Sequence, residues 1–178
     1  MIPLALALLA VTTPSSLPLS PAQLSCPKGS ERRGAAPPEG FEVWCEGKDP
    51  AGAPLRDGPA RVYYDDGGLW IEEAFRSGQR DGAFVEWHRN GARAREGTFA
   101  RGAKTGRWTV WRETGKVEEI SEWRDGVPHG QFIAFWPGGG RRTEGRHCGG
   151  AQCGTWKTFD EAGKLLGSVD YGEQSLAP

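Results

Sequence analysis

Between residues 56 and 175 the apolar positions come in short bursts, and glycine turns separate them. Phe84-Val85-Glu86-Trp87 reads as a short strand. Arg89-Asn90-Gly91 follows, and Asn-Gly is a strong hairpin signal because such turns need residues that tolerate positive φ. A second run then ends at Phe99. The same order returns along the chain, and no segment carries a helical period. The pattern predicts one β-hairpin after another.

The return is periodic. Gly58, Gly82, Gly106, Gly130 and Gly154 are 24 residues apart, as are Gly67, Gly91, Gly115, Gly139 and Gly163. A third series is Gly78, Gly102, Gly126 and Gly150, and it stops at Gln174. A fixed period of this length means a repeat architecture. The units are 56–79, 80–103, 104–127, 128–151 and 152–175. Aromatics keep the same register. Numbered within a unit, position 5 holds Ala60, Phe84, Trp108, Phe132 and Trp156. Position 8 holds Tyr63, Trp87, Trp111, Phe135 and Phe159, and position 20 holds Phe75, Phe99, Trp123, His147 and Tyr171. Positions 4–9 and 14–20 read as the two strands, with glycine turns at 10–12 and at about 23–27. Five units predict about ten antiparallel strands in one sheet. Positions 5 and 8 have opposite parity, so either a bulge intervenes or aromatics line both faces.

Gly82-Ala83-Phe84-Val85-Glu86-Trp87-His88-Arg89-Asn90-Gly91 and the corresponding run Gly106–Gly115 resemble the MORN repeat, in the variant found in bacterial envelope and secreted proteins. The resemblance covers about 56–172, with departures at Ala60 and His147. It implies an elongated, twisted antiparallel sheet of stacked hairpins. It also implies a non-enzymatic role in protein binding, scaffolding or membrane association. Some bacterial relatives carry an antitoxin label that rests on gene context.

Composition fits that picture. The chain holds 27 Gly, 13 Pro and 8 Trp, with few aliphatics and a net charge of −1. Scarce aliphatics with so little net charge do not mean disorder here, because tryptophans replace the missing core. The near-neutral charge excludes the electrostatic footprint of a nucleic-acid binder. The apolar run 1–11 is too short to span a membrane. With the small residues before Ala22 it reads as a secretory signal over 1–22. The reading is then an exported protein: periplasmic, outer-membrane-associated or extracellular. Residues 23–39 read as a disordered linker, 40–55 as a degenerate N-terminal cap built on Gly40-Phe41-Glu42-Val43-Trp44, and 176–178 as a tail.

Four cysteines behind an export signal favour disulfides, and proximity pairs Cys26 with Cys45 and Cys148 with Cys153. Two alternatives stay open. Cys26 is acylated in a lipoprotein reading, and His147, Cys148 and Cys153 offer part of a metal site. No catalytic set emerges. Glu72/Glu73 and Glu118/Glu119 are adjacent strand residues that point to opposite faces. His147 stands where an aromatic is expected and reads as a packed substitute. Arg-Asp-Gly at 56–58, 80–82 and 124–126 reads as turn chemistry. The chain is expected to be no enzyme and to need no cofactor or metal.

Positions that vary between units read as those the architecture leaves free. Position 9 holds Tyr64, His88, Arg112, Trp136 and Asp160; position 15 holds Trp70, Ala94, Glu118, Arg142 and Leu166. Tyr64, Trp70, Arg112 and Trp136 are the partner-binding candidates, of residue types enriched at interfaces. The expected partner is a protein. The alternative is a glycan or lipid headgroup stacked on exposed aromatics.

Overall fold

The computed structural model describes residues 24–173. The expected signal segment 1–22 and the tail 176–178 lie outside them. Among the described residues twelve strands form one antiparallel sheet in sequence order. They are β1 (Glu31–Ala35), β2 (Glu42–Lys48), β3 (Pro54–Tyr63), β4 (Leu69–Arg76), β5 (Gln79–Trp87), β6 (Arg93–Ala100), β7 (Ala103–Trp111), β8 (Val117–Arg124), β9 (Val127–Phe135), β10 (Arg141–Cys148), β11 (Ala151–Phe159) and β12 (Leu165–Asp170). At about 4.8 Å per strand the stack is on the order of 50 Å wide. No helix of the described residues is long and apolar enough to cross a membrane.

Each unit is one hairpin, but its turns sit differently from the expectation. The turn into the next unit is two residues at positions 22 and 23, not a loop over 23–27. Ser77-Gly78, Arg101-Gly102, Asp125-Gly126 and Gly149-Gly150 all have positive φ at both residues. That is the I′ turn, whose twist matches the flanking strands. The first strand of each unit therefore starts early, and the glycines of the Gly58 series lie inside it. There they take φ between +61° and +125°. At each, the pairing slips: three residues, for example Asp81, Gly82 and Ala83, stand against Ala74 alone. The Gly67 series closes the longer turn, with Gly67 N–H donating to the Tyr64 carbonyl at 3.1 Å.

The parity question has a definite answer. Glu73 pairs with Phe84 and Glu72 with Val85, without interruption through Ile71–Glu86. Position 5 therefore points to one face and position 8 to the other. On the first face, here the front, Phe84 meets Phe99 and Trp108 at centroid distances of 5.6 and 5.5 Å. Phe132, His147 and Trp156 repeat that cluster one double-unit later, at 5.0–5.5 Å. His147 is thus packed in place of Phe99. Position 1 adds cations over the rings: Arg56 over Trp44 and Phe75, Arg80 over Phe99, Lys104 between Trp108 and Trp123 at 4.4 and 4.6 Å. Unit four, whose ring is His147, has Pro128 at that position. A cation there would face an imidazole that can itself become charged.

The segment 23–39 is more than a linker. β1 falls within it and pairs with β2, so the cap is a hairpin rather than the single strand expected at 40–45. On the back face Leu24, Val43, Cys45 and Tyr63 form a buried cluster. The disulfide Cys26–Cys45 fastens the segment there, with Cα atoms 5.4 Å apart. At the other end Cys148–Cys153 spans the two-residue turn, Cα atoms 5.8 Å apart. Both cysteines are consumed, so the metal reading for His147, Cys148 and Cys153 fails, and the Cys26 thiol is bonded rather than available for acylation.

Candidate partner-binding surface

Position 9 opens the longer turn of every unit. Its N–H donates to the carbonyl four residues on, as from Tyr64 to Gly68 at 2.8 Å. Its side chain then reaches past the returning strand to the next hairpin. Tyr64 Oη donates to the Trp87 carbonyl at 2.8 Å, and His88 Nε2 bonds to the Trp111 carbonyl at 2.9 Å. Arg112 Nη2 donates to Phe135 at 3.1 Å and Trp136 Nε1 to Phe159 at 3.0 Å. Each acceptor is the position-8 carbonyl of the following unit. Tyr, His, Arg and Trp look unrelated, yet each is long and carries an N–H or O–H. In unit five Asp160 has no such reach and instead accepts from Lys164 N–H at 2.8 Å.

Position 15 is equally occupied. It is the extra residue where the returning strand slips by one, as Ala94 is between Arg93–Trp87 and Arg95–Glu86. Its side chain lies against position 9. Trp70 stacks on Tyr64 at 5.5 Å, Glu118 pairs with Arg112 at 3.1 Å, and Arg142 sits 5.7 Å from the Trp136 ring. Trp70 Nε1 also donates to Glu86 at 3.2 Å.

The premise that positions 9 and 15 are free is therefore corrected. Tyr64, Trp70, Arg112 and Trp136 hold neighbouring hairpins together along one rim. Tyr64 and Trp70 are brought into contact, whereas Arg112 and Trp136 occupy separate rungs. Burial, then Glu86, pushes the Tyr64 hydroxyl above its usual pKa, so it stays a donor. Arg89 lies over the Tyr64 ring at 4.6 Å and bridges to Asp65 at 2.6 Å. That pairing holds the exposed Asp65 carboxyl below its usual range and raises the guanidinium. The sequence reading overlooked His88 as a rung, although a column of four donors was visible in it.

A second set of caps serves the opposite rim. Asp57 accepts from Ser77 N–H at 3.1 Å, and Asp81 from Arg101 N–H at 3.2 Å. The aspartates of Arg56-Asp57-Gly58 and Arg80-Asp81-Gly82 thus cap a turn from outside it. Only Asp125 of the third copy is within one.

The last hairpin, β11–β12, has the same longer turn and bulge as the four before it. Residues 152–171 match the family model described as MORN repeat variant. That hairpin is thus similar to a MORN repeat variant, and the four before it share its 24-residue register. No curated protein matches the chain. Among the described residues the hairpins leave shallow surfaces. One groove of about 330 Å³ on the back face is lined by Val85, Glu96, Thr98, Arg107, Thr109 and Trp111. Among the described residues no group of three His, Cys, Asp or Glu is placed to hold a metal.

Proposed function

We propose that this is an exported, non-catalytic MORN-repeat sheet that mediates protein–protein interaction or scaffolding in the cell envelope. The observation that carries the reading is the use of its side chains. The residues with the most chemistry, from Tyr64 to Trp136, bond to neighbouring hairpins and build a stiff platform. What such a platform offers is an extended surface, with exposed back-face groups such as Arg107 and Thr98 beside the half-buried Trp111. Disulfides at both ends support an oxidising compartment.

Two measurements test this together. Intact mass of the protein from fractionated cells should show cleavage near Ala22 and both disulfides; free thiols on cytosolic protein refute export. Immobilised oxidised protein should capture a defined envelope protein that soluble MORN sheet competes away. Sedimentation with glycans or liposomes instead of that protein overturns the protein-partner reading.

A further inference from the structure

The two edges of the sheet differ. β1 begins Glu31-Arg32-Arg33, with Arg33 bridging to Glu31 and Glu46 at 3.0 and 3.1 Å. Charges of this kind discourage strand addition. β12 reads Leu165-Leu166-Gly167-Ser168-Val169-Asp170, with no charge before its last residue. Leu165, Leu166, Val169 and Tyr171 are 49%, 63%, 55% and 46% exposed. β4, β6, β8 and β10 are each covered by the first strand of the next hairpin. β12 has only β11 beside it among the described residues.

Position 18 limits what can cover it. Where the next unit brings Trp, position 18 is glycine: a Cβ on Gly97 or Gly145 would lie 2.2 Å from the Trp108 or Trp156 ring. Where the next unit brings Phe, position 18 is Glu73 or Ser121. β12 carries Val169 there, so a further repeat bringing Trp does not fit. A strand that sets a small residue against Val169 fits without displacing anything. β12 itself does so. In an antiparallel pair of two β12 strands centred on Ser168, Val169 of one copy faces Gly167 of the other, and the reverse. Residues 167 and 169 share the front face, so the two front faces lie on one side.

We propose that two copies of this chain pair through β12, antiparallel and centred on Ser168, joining their sheets edge to edge across a twofold axis. The contact is self-complementary and closes. The charged β1 edges remain outermost. The inference stands apart from the proposed function, since it needs no other protein.

Sedimentation velocity of the oxidised full chain from about 1 to about 100 μM tests it. A concentration-dependent monomer–dimer equilibrium is expected. Val169→Lys should weaken it by at least about tenfold with an unchanged Tm, because a lysine opposes edge pairing. Should that variant fail to fold, Leu166→Lys at the more exposed neighbour takes its place. Ser168→Cys should give a disulfide-linked dimer, and Glu31→Cys should not. A monomer at the highest concentration, or an undiminished dimer in the folded lysine variant, overturns the proposal. So do polymers that grow with concentration, which would mean head-to-tail addition, or cross-linking through Glu31→Cys, which would mean pairing through β1.

Discussion

Gly97 has an ordinary φ, so a side chain there is opposed by sterics alone. Its missing Cβ would lie 2.2, 2.3 and 2.7 Å from the Cδ2, Cε2 and Cγ atoms of Trp108. Ordinary carbon contact is about 3.5 Å or more. Gly97→Ala must therefore push the indole away by roughly 1.3 Å. The ring has little room, because it is 3% exposed and held between Phe84, Phe99 and the Lys104 ammonium. Overpacking of this kind costs about 1–3 kcal/mol. Loss of the edge-to-face contact with Phe99 adds about 1 kcal/mol. A total of about 3 kcal/mol lowers Tm by roughly 6–12 °C in a chain of this size. Urea and thermal unfolding of the oxidised protein, followed by circular dichroism, read the loss directly. The partner substitution isolates the cause. In a Trp108→Phe background the same Gly97→Ala change should cost less than about 1 kcal/mol, because units that bring Phe tolerate Ser121 or Glu73 at that place. Gly97→Ala within about 0.5 kcal/mol of the parent refutes the reasoning, as does an equal cost in both backgrounds.

Trp136→Phe keeps a ring but removes the donor to the Phe159 carbonyl, and should lose about 1 kcal/mol of unfolding free energy. Tyr64→Phe should lose a similar amount by removing the bond to Trp87, and unchanged urea midpoints in both would mean that the rungs hold nothing. Removing Cys26–Cys45 should cost about 3 kcal/mol and Cys148–Cys153 about 2 kcal/mol, following their loop lengths. The reverse order in paired Cys→Ser variants contradicts that account. Burial holds the His147 pKa below its ordinary value, opposed by Glu119, so the fold prefers the neutral ring. Its contribution is complete above the unfolded value near 6.5 and is lost as pH falls below it. His147→Phe should flatten the decline in stability below about pH 6.5, and an unaltered profile would show that another group titrates.

The front-face packing explains why unlike residues share positions. Gly97 with Trp108 and Ser121 with Phe132 occupy equal space by different divisions. Lys104 between two tryptophans gives way to Pro128 where the ring is His147. Burial lowers the Lys104 pKa, with Arg95 acting in the same direction, and the facing indoles favour the cation that remains. Variation between units is therefore coupled variation, in pairs that touch across a strand or a unit boundary.

The sequence alone determined the period, the hairpins and the aromatic rows, and proximity favoured both cysteine pairs that the structure then showed. Those follow from local chemistry: glycine where φ must be positive, alternation along a strand, and thiols near one another in the chain. It also placed His147 among the aromatics by register. Tertiary structure decided what the sequence left as free positions. Tyr64, His88, Arg112 and Trp136 share no size or shape, and only the carbonyl 23 residues on shows that they do one thing. The sheet face of each aromatic row and the placement of Gly82 inside a strand rather than in a turn were also decided there. So was the cap strand at Glu31–Ala35, whose charged residues show no apolar alternation. These depend on contacts between strands, and a contact between strands needs only a compatible pair, so neither partner's identity is fixed until both are in place.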